Sequence, residues 1–306
     1  MTFINNKSNT SNRIELFFFL TIWLIIAMAA GLILSAFTKM LDISDVQAFL
    51  GQISETSPIE DRYTVKGILS FNQIFTFIIP SFVFVFLIHK KRAFSFLQLN
   101  RLPPYQLFLI GTLLVILAFP IAQLLLKLNQ MVILPDLAAD AENQVNNMTA
   151  ALLVMETPWE FLTTLGLIAV LPALGEELIF RGIVQNYLVK EINPHVAIWV
   201  SAAIFSALHL QFAGFLPRLF LGGLLGYLFY WSGSLWLAIF AHFINNGVQV
   251  MAVYFYKKQG NVIDTEAAVG LPWFAYLVSI LLFISIVYWF LKNTLKTEQL
   301  NTYNRN

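Results

Sequence analysis

Residues 165–184 read LGLIAVLPALGEELIFRGIV, an apolar run broken by two adjacent carboxylates, Glu176 and Glu177, with Arg181 four residues beyond the second. Placing a charged side chain at the centre of a bilayer costs at least ~2.5 kcal/mol, so an acid at membrane depth marks function by default. Two later apolar segments each carry one histidine, His209 and His242. Two acids and two histidines in hydrophobic surroundings point to hydrolytic or metal chemistry inside a membrane.

The composition around this stretch supports that setting. Of 306 residues, 58% are hydrophobic and 11% are charged, and the mean hydropathy is +0.72. This is the balance of a polytopic membrane protein, and it predicts an all-α transmembrane bundle. A net charge of +1 with no large basic patch argues against nucleic acid as a partner. With no cysteine in the chain, disulfides, thiolate metal sites and a cysteine nucleophile are excluded.

Hydropathy predicts about eight spans, near 16–38, 68–89, 105–127, 160–189, 195–211, 216–231, 234–256 and 271–292. The fourth is too long for one straight crossing, and Pro172 with Gly175 predicts a break just before the glutamates. Asn193-Pro194 suits a helix start, and Ser232-Gly233-Ser234 a tight turn. Gly222 and Gly226 form a GxxxG pair that lets a neighbouring helix come close. Basic residues cluster at Lys7 and Arg13, at His89-Lys90-Lys91-Arg92 with Arg101, and at Lys292, Lys296 and Arg305. The positive-inside rule therefore predicts cytoplasmic N- and C-termini. The acidic loops 39–66 and 128–159, with Asp42, Asp45, Glu55, Glu60, Asp61, Asp136, Asp140 and Glu142, then lie outside. Lys257-Lys258 runs against this arrangement. The cleft would open to the cytoplasmic half, because Glu176 follows Pro172 on a span running inward.

Three patterns occur in order: Glu176-Glu177-x-x-x-Arg181, Phe205-x-x-x-His209 and His242-x-x-x-Asn246. Residues four apart share a helix face, so each pattern projects one patch into the bundle. Glu177 and Arg181 are spaced to pair as a structural ion pair. Glu176, rotated about 100° from Glu177, is left for chemistry. A buried carboxylate can act as general base, histidines can orient water, and an asparagine amide can donate to an oxyanion. Glu176, His209, His242 and Asn246 supply that set. Equally, Glu176, His209 and His242 could bind zinc with one position open for water. No HExxH decides between these alternatives. Phe205 reads as a packing residue, and His89 and His195 as non-catalytic residues near helix ends.

These residues resemble the CPBP (CAAX protease and bacteriocin-processing, or Abi) family of intramembrane proteases, which includes the type II CAAX prenyl endopeptidases. The family's motifs, EExxxR, FxxxH and HxxxN, match here over roughly 160–250. The resemblance implies a metalloendopeptidase with catalytic positions at Glu176, His209, His242 and Asn246, an accessory pair at Glu177 and Arg181, and a divalent metal, zinc. It further implies a membrane-associated peptide or protein substrate in the lipid bilayer, and a place in the bacterial plasma membrane. The expected organisation is a polar cytoplasmic tail over 1–15, N-terminal transmembrane helices and external loops over 16–150, a catalytic core over 151–256, and a last span with cytoplasmic tail over 257–306. Two other functions stay open at this point: a non-proteolytic scaffold or bacteriocin-immunity protein, and a proton-coupled transporter. The transporter is disfavoured by the single broken helix, which has no counterpart in another half of the chain.

Overall fold

The computed structural model describes residues 9–43, 45–132, 136–260 and 271–303, and their regular structure is entirely helical. The predicted tail residues 1–8, including Lys7, and Arg305 lie outside the described residues, as do the side chains of Asp136, Asp140 and Lys296. In chain order the helices are α1 (Asn9–Lys39), α2 (Val46–Gln52), α3 (Ile59–Gln73), α4 (Ile79–His89), α5 (Ala93–Phe96), α6 (Tyr105–Asn129) and α7 (Asp136–Leu152). There follow α8 (Pro158–Leu165), α9 (Leu171–Ile179), α10 (Asn186–Glu191), α11 (Pro194–Ala207), α12 (Phe215–Ser232), α13 (Leu235–Lys258) and α14 (Trp273–Tyr303). Single π-helical turns join α3 to α4 (Ile74–Ile78), α8 to α9 (Gly166–Val170) and α9 to α10 (Phe180–Gln185), making continuous rods of 59–89 and 158–191.

The eight rods coincide with the predicted spans, and the molecule is a polytopic helical bundle. Five stretches are long and apolar enough to cross a membrane: Thr10–Lys39, Ile59–Phe96, Tyr105–Asn129, Leu235–Lys258 and Trp273–Lys292. Rods 158–191, 194–207 and 215–232, which carry most of the charged interior, are the remainder. The outer helices α1 and α14 turn large apolar side chains outward, as at Leu32, 74% exposed, and Tyr288, 66% exposed. Such faces suit lipid rather than water.

Three prolines lie within the rods, and at two of them a neighbouring helix answers the carbonyl that proline frees. Proline has no N–H, so it leaves the carbonyl four residues earlier without its helical donor. In hydrocarbon no water can replace that donor, and π turns and side chains from neighbouring helices do so instead. Pro80 frees the Thr76 carbonyl, which accepts from the Trp23 indole N–H at 2.7 Å. Pro172 frees the Ile168 carbonyl, which accepts from Asn246 Nδ2 at 3.0 Å. Near Pro120, the Leu117 carbonyl accepts from Ser279 Oγ at 2.5 Å. The expected break at Pro172 is therefore a π turn inside a continuous rod, because its carbonyl is satisfied from α13.

The predicted glycine pair brings α12 against two partners at once. A methyl group on Gly222 would sit 3.0 Å from Ala202 Cβ, and one on Gly226 would lie 2.7 Å from Gln185 Oε1. This closeness lets Arg181 Nη2 donate to the Gly222 carbonyl at 2.9 Å and Gln185 Nε2 to the Gly226 carbonyl at 3.0 Å. Gly233, at φ +63°, makes the expected tight turn between α12 and α13.

The acidic stretches read as loops contain two short helices, α2 and α7. Asp45 caps α2 by accepting from the Gln47 and Ala48 amides at 2.9 and 3.0 Å. Leu152 and Ala151 of α7 pack with Ile53, Val65 and Leu167. Their low apolar content hid them from a hydropathy reading; capping and this small cluster hold them.

Replacing Trp23 with Phe removes the donor to Thr76 and should cost about 1–3 kcal/mol, the penalty for an unsatisfied buried polar group. Trp159→Phe, at a site 65% exposed, should stay within about 0.5 kcal/mol. Equal unfolding midpoints for the two variants in detergent would refute the proline-answering role of Trp23.

Candidate active site

The charged centre forms where α9 and the π turn after it face α11, α12 and α13. Glu177 and Arg181 are buried, and Glu177 Oε1 accepts from Arg181 Nη1 at 2.6 Å, the ion pair that the spacing predicted. The same oxygen receives a second bond, from His242 Nδ1 at 2.8 Å. Glu177 is thus more than half of an ion pair, because it also orients a histidine on α13. Its other oxygen, Oε2, is buried with no hydrogen-bond partner.

Glu176, one residue earlier, points elsewhere, as the helical rotation requires. Its side chain keeps 12% exposure where Glu177 has none. Its Oε1 accepts from Gln73 Nε2 at 3.4 Å, and its Oε2 faces His242 Nε2 at 3.8 Å.

The partners of the two histidines fix their tautomers. A carboxylate and a backbone carbonyl only accept, so the ring nitrogen bonded to either must carry the proton. His242 Nδ1 therefore donates to Glu177, and His209 Nδ1 donates to the Phe205 carbonyl at 2.8 Å. In its neutral form each imidazole then keeps a lone pair on Nε2. On His242 that lone pair faces Glu176.

Phe205 packs between these groups. Its ring meets those of His209 at 4.8 Å and His242 at 6.2 Å, both edge-on, and the Arg181 guanidinium sits 4.9 Å from its centre. It is a packing residue, as expected, and its backbone carbonyl also sets the neighbouring histidine. No direct hydrogen bond joins His209 to Glu176 or His242.

His242 and Asn246 share one face of α13 and both reach the 158–191 rod, at Glu177 and Ile168. Asn246 spends one amide hydrogen on Ile168, and its Oδ1 accepts from Asn245 Nδ2 at 2.8 Å. One N–H of Asn246 is left. Gln73 escaped the sequence reading, since a lone glutamine in an apolar helix carries no motif and becomes informative only when its neighbour is known.

A polar pocket of about 310 Å³ is lined by Glu142, Asn143 and Asn146 of α7, by Gln211, and by Arg218 of α12. It opens at the end of the bundle where Asn129 and Glu142 hold the chain between α11 and α12 through the Leu216 and Ala213 amides. The basic loop 90–101 is at the other end, where Leu235 N–H donates to the Gln98 carbonyl at 3.1 Å. This pocket, whose wall includes none of Glu176, His209 and His242, lies at the end opposite the basic loop. That end is open because α11 stops at Ala207 and the chain turns back beneath α7.

Glu176, His209 and His242 are the right kinds of donor for zinc, and both imidazoles have Nδ1 tied down as metal-bound histidines do. The positions do not fit as they stand: among the described residues no group of three or more His, Asp or Glu side chains is gathered closely enough to hold an ion.

Truncating either Glu177 or Arg181 to alanine strands the other buried charge and should cost roughly 3–5 kcal/mol. The double variant should lose less than the sum of the two. Strict additivity in thermal unfolding would show that the two side chains are not coupled.

Residues 158–248 match the model of the family described as "Type II CAAX prenyl endopeptidase Rce1-like". "Uncharacterized protein YpbD" of Bacillus subtilis (strain 168) is 30% identical over 92 residues, which is 29% of this chain and 44% of that protein. The match thus spans less than half the length of this curated relative. No solved structure matches. Glu176, Glu177, Arg181, His209, His242 and Asn246 all lie within the segment that is similar to the Rce1-like type II CAAX prenyl endopeptidases.

Proposed function

We propose that this protein is an intramembrane endopeptidase in which Glu176 is the general base. The observation that carries the proposal is the 3.8 Å gap between Glu176 Oε2 and His242 Nε2. Both atoms are acceptors when Glu176 is ionised and His242 carries its proton on Nδ1. A water between them gives one hydrogen to each and turns a lone pair toward a substrate carbonyl.

The step balances with protein groups alone. Glu176 takes a proton from the water as the oxygen attacks the peptide carbon. The oxyanion accepts from the remaining N–H of Asn246. Glu176 then passes its proton to the leaving nitrogen as the C–N bond breaks, giving a carboxylic acid and an amine. Glu177 holds His242 in the required tautomer throughout, and Gln73 holds the other oxygen of Glu176. Zinc dependence is a separate proposal, in which Glu176, His209 and His242 would close on one point.

The substrate in this reading is a membrane-associated peptide or protein entering from the bilayer. We further propose an orientation with residues 90–101 and the C-terminus cytoplasmic, on the basis of the lysine and arginine excess at that end.

Glu176→Gln preserves side-chain volume and should lower cleavage of membrane peptides by ~10²–10⁴-fold while the protein stays folded. Wild-type rates for this variant in liposomes would remove Glu176 from the reaction. Chelation tests the metal: activity that survives leaves the protein groups as the whole machinery, whereas a loss reversed by zinc assigns the three donors to an ion.

The chain has no cysteine of its own, so thiol labelling of Ser95→Cys and Gln144→Cys reads the topology directly. Labelling of position 144 from outside and of 95 only after permeabilisation is expected; the reverse pattern overturns the orientation.

A further inference from the structure

At the basic-loop end the rod 59–89 stops in a sharp turn. Lys90 sits at φ +49° with its N–H on the Phe86 carbonyl, and a single 3₁₀ turn, Lys90–Arg92, leads into α5. Positive φ is unfavourable for a residue with a Cβ, and such positions cluster at functional sites. Both flanks of the turn are fixed. His89 bonds the Tyr187 hydroxyl at 3.1 Å and stacks on Phe96 at 3.8 Å, while Ala93 and Leu97 are buried in the core. The side chains between these anchors, Lys90, Lys91 and Arg92, are exposed, and none of them bonds or ion-pairs with another described residue. The described acids at this end are already engaged. Glu15 accepts from Tyr187 at 2.7 Å, and Glu191 accepts from Asn12 at 3.0 Å and from Arg13 at 3.3 Å. Three successive positive charges therefore stand without a counter-ion from the described chain.

Next to these charges the surface is apolar and aromatic. Phe86 is 47% exposed, one helical turn before Lys90, and Phe94, 51% exposed, follows the turn. Their rings meet edge-on at 5.7 Å, and Phe86 stacks with Phe82 at 6.1 Å. The three rings thus form one continuous ledge that spans the end of α4 and α5. Exposed apolar ground beside a group of uncompensated charges matches a partner that is itself apolar along one part and anionic at its end.

We propose that the turn Lys90–Arg92 and the ledge of Phe82, Phe86 and Phe94 bind one anionic phospholipid, its phosphate on the basic side chains and its acyl chains along the rings. The Arg92 guanidinium offers a fork suited to two phosphate oxygens, and the two ammonium groups add charge without a fixed direction. The anchored flanks hold the turn in place before the lipid arrives, which lowers the ordering cost of binding.

The test titrates the delipidated full chain with phosphatidylglycerol and with phosphatidylcholine of the same acyl chains, and counts bound lipid by native mass spectrometry. One phosphatidylglycerol per chain is expected, held about 10- to 100-fold more tightly than phosphatidylcholine. Lys91→Gln removes one charge and should lower that preference by about fivefold. Arg101→Gln removes one exposed charge at the same end but outside the turn, and should leave the preference unchanged. Lys90→Gly separates binding from folding, because glycine accepts the positive φ. Its unfolding midpoint should stay at or above that of wild type while its lipid preference falls about fivefold. Equal affinities for the two lipids overturn the proposal. So does an Arg101→Gln loss equal to that of Lys91→Gln, which would assign the preference to the general charge of that end. Displacement of the lipid by an equal concentration of glycerol 3-phosphate would make this a free-phosphate site, and displacement by a polyglutamate peptide a protein-docking one; either result also overturns the assignment to lipid.

Discussion

The shared oxygen of Glu177 is the interaction on which the centre of the molecule depends. One carboxylate oxygen accepts from Arg181 and from His242, so an ion pair within one rod becomes a tie between rods. Arg181 extends the tie to α12 through the Gly222 carbonyl. Four groups from three rods are thereby fixed by one buried charge. Buried ion pairs of this kind often add little net stability, because desolvation offsets their attraction. Their use here is directional: the carboxylate dictates which nitrogen of His242 carries the proton, and hence which nitrogen faces Glu176.

Backbone defects and polar side chains are coupled in the same way. Pro172 gives up a helical hydrogen bond next to the glutamates, and Asn246, one turn beyond His242, answers the freed carbonyl. The proline thus docks α13 in register with α9. Trp23 does the same for Pro80 and so locates α1 against the rod that brings Gln73 to Glu176. In water such carbonyls would be solvated and specify nothing. In an apolar surrounding each becomes a demand that a single neighbouring residue meets.

The polar end of the bundle shows how short, weakly apolar elements complete a membrane site. Helix α7 contributes Glu142, Asn143 and Asn146 to the pocket and is pinned by Glu142 on the segment 208–214 and by Leu152 in its small apolar cluster. A second buried charge group, Arg62 with Glu160 and Glu156, fixes the start of rod 158–191 nearby. Lys66 Nζ lies 3.8 Å from Glu160 within that group.

The sequence by itself determined the helical class, the position of eight rods, the Glu177–Arg181 pair and the separate direction of Glu176. Each of these follows from local rules: apolar length, the four-residue repeat and the rotation per residue. The close approach at Gly222 and Gly226 was legible for the same reason, since a missing side chain is a property of the chain itself. Only the tertiary structure decided that Glu177 also bonds His242, that Asn246 answers Pro172, and that Gln73 reaches Glu176. It also put the polar pocket at the end opposite the basic loop and made helices of α2 and α7. These outcomes depend on which faces of distant segments meet. A carbonyl freed by proline acquires a meaning only when the neighbouring helix is in place.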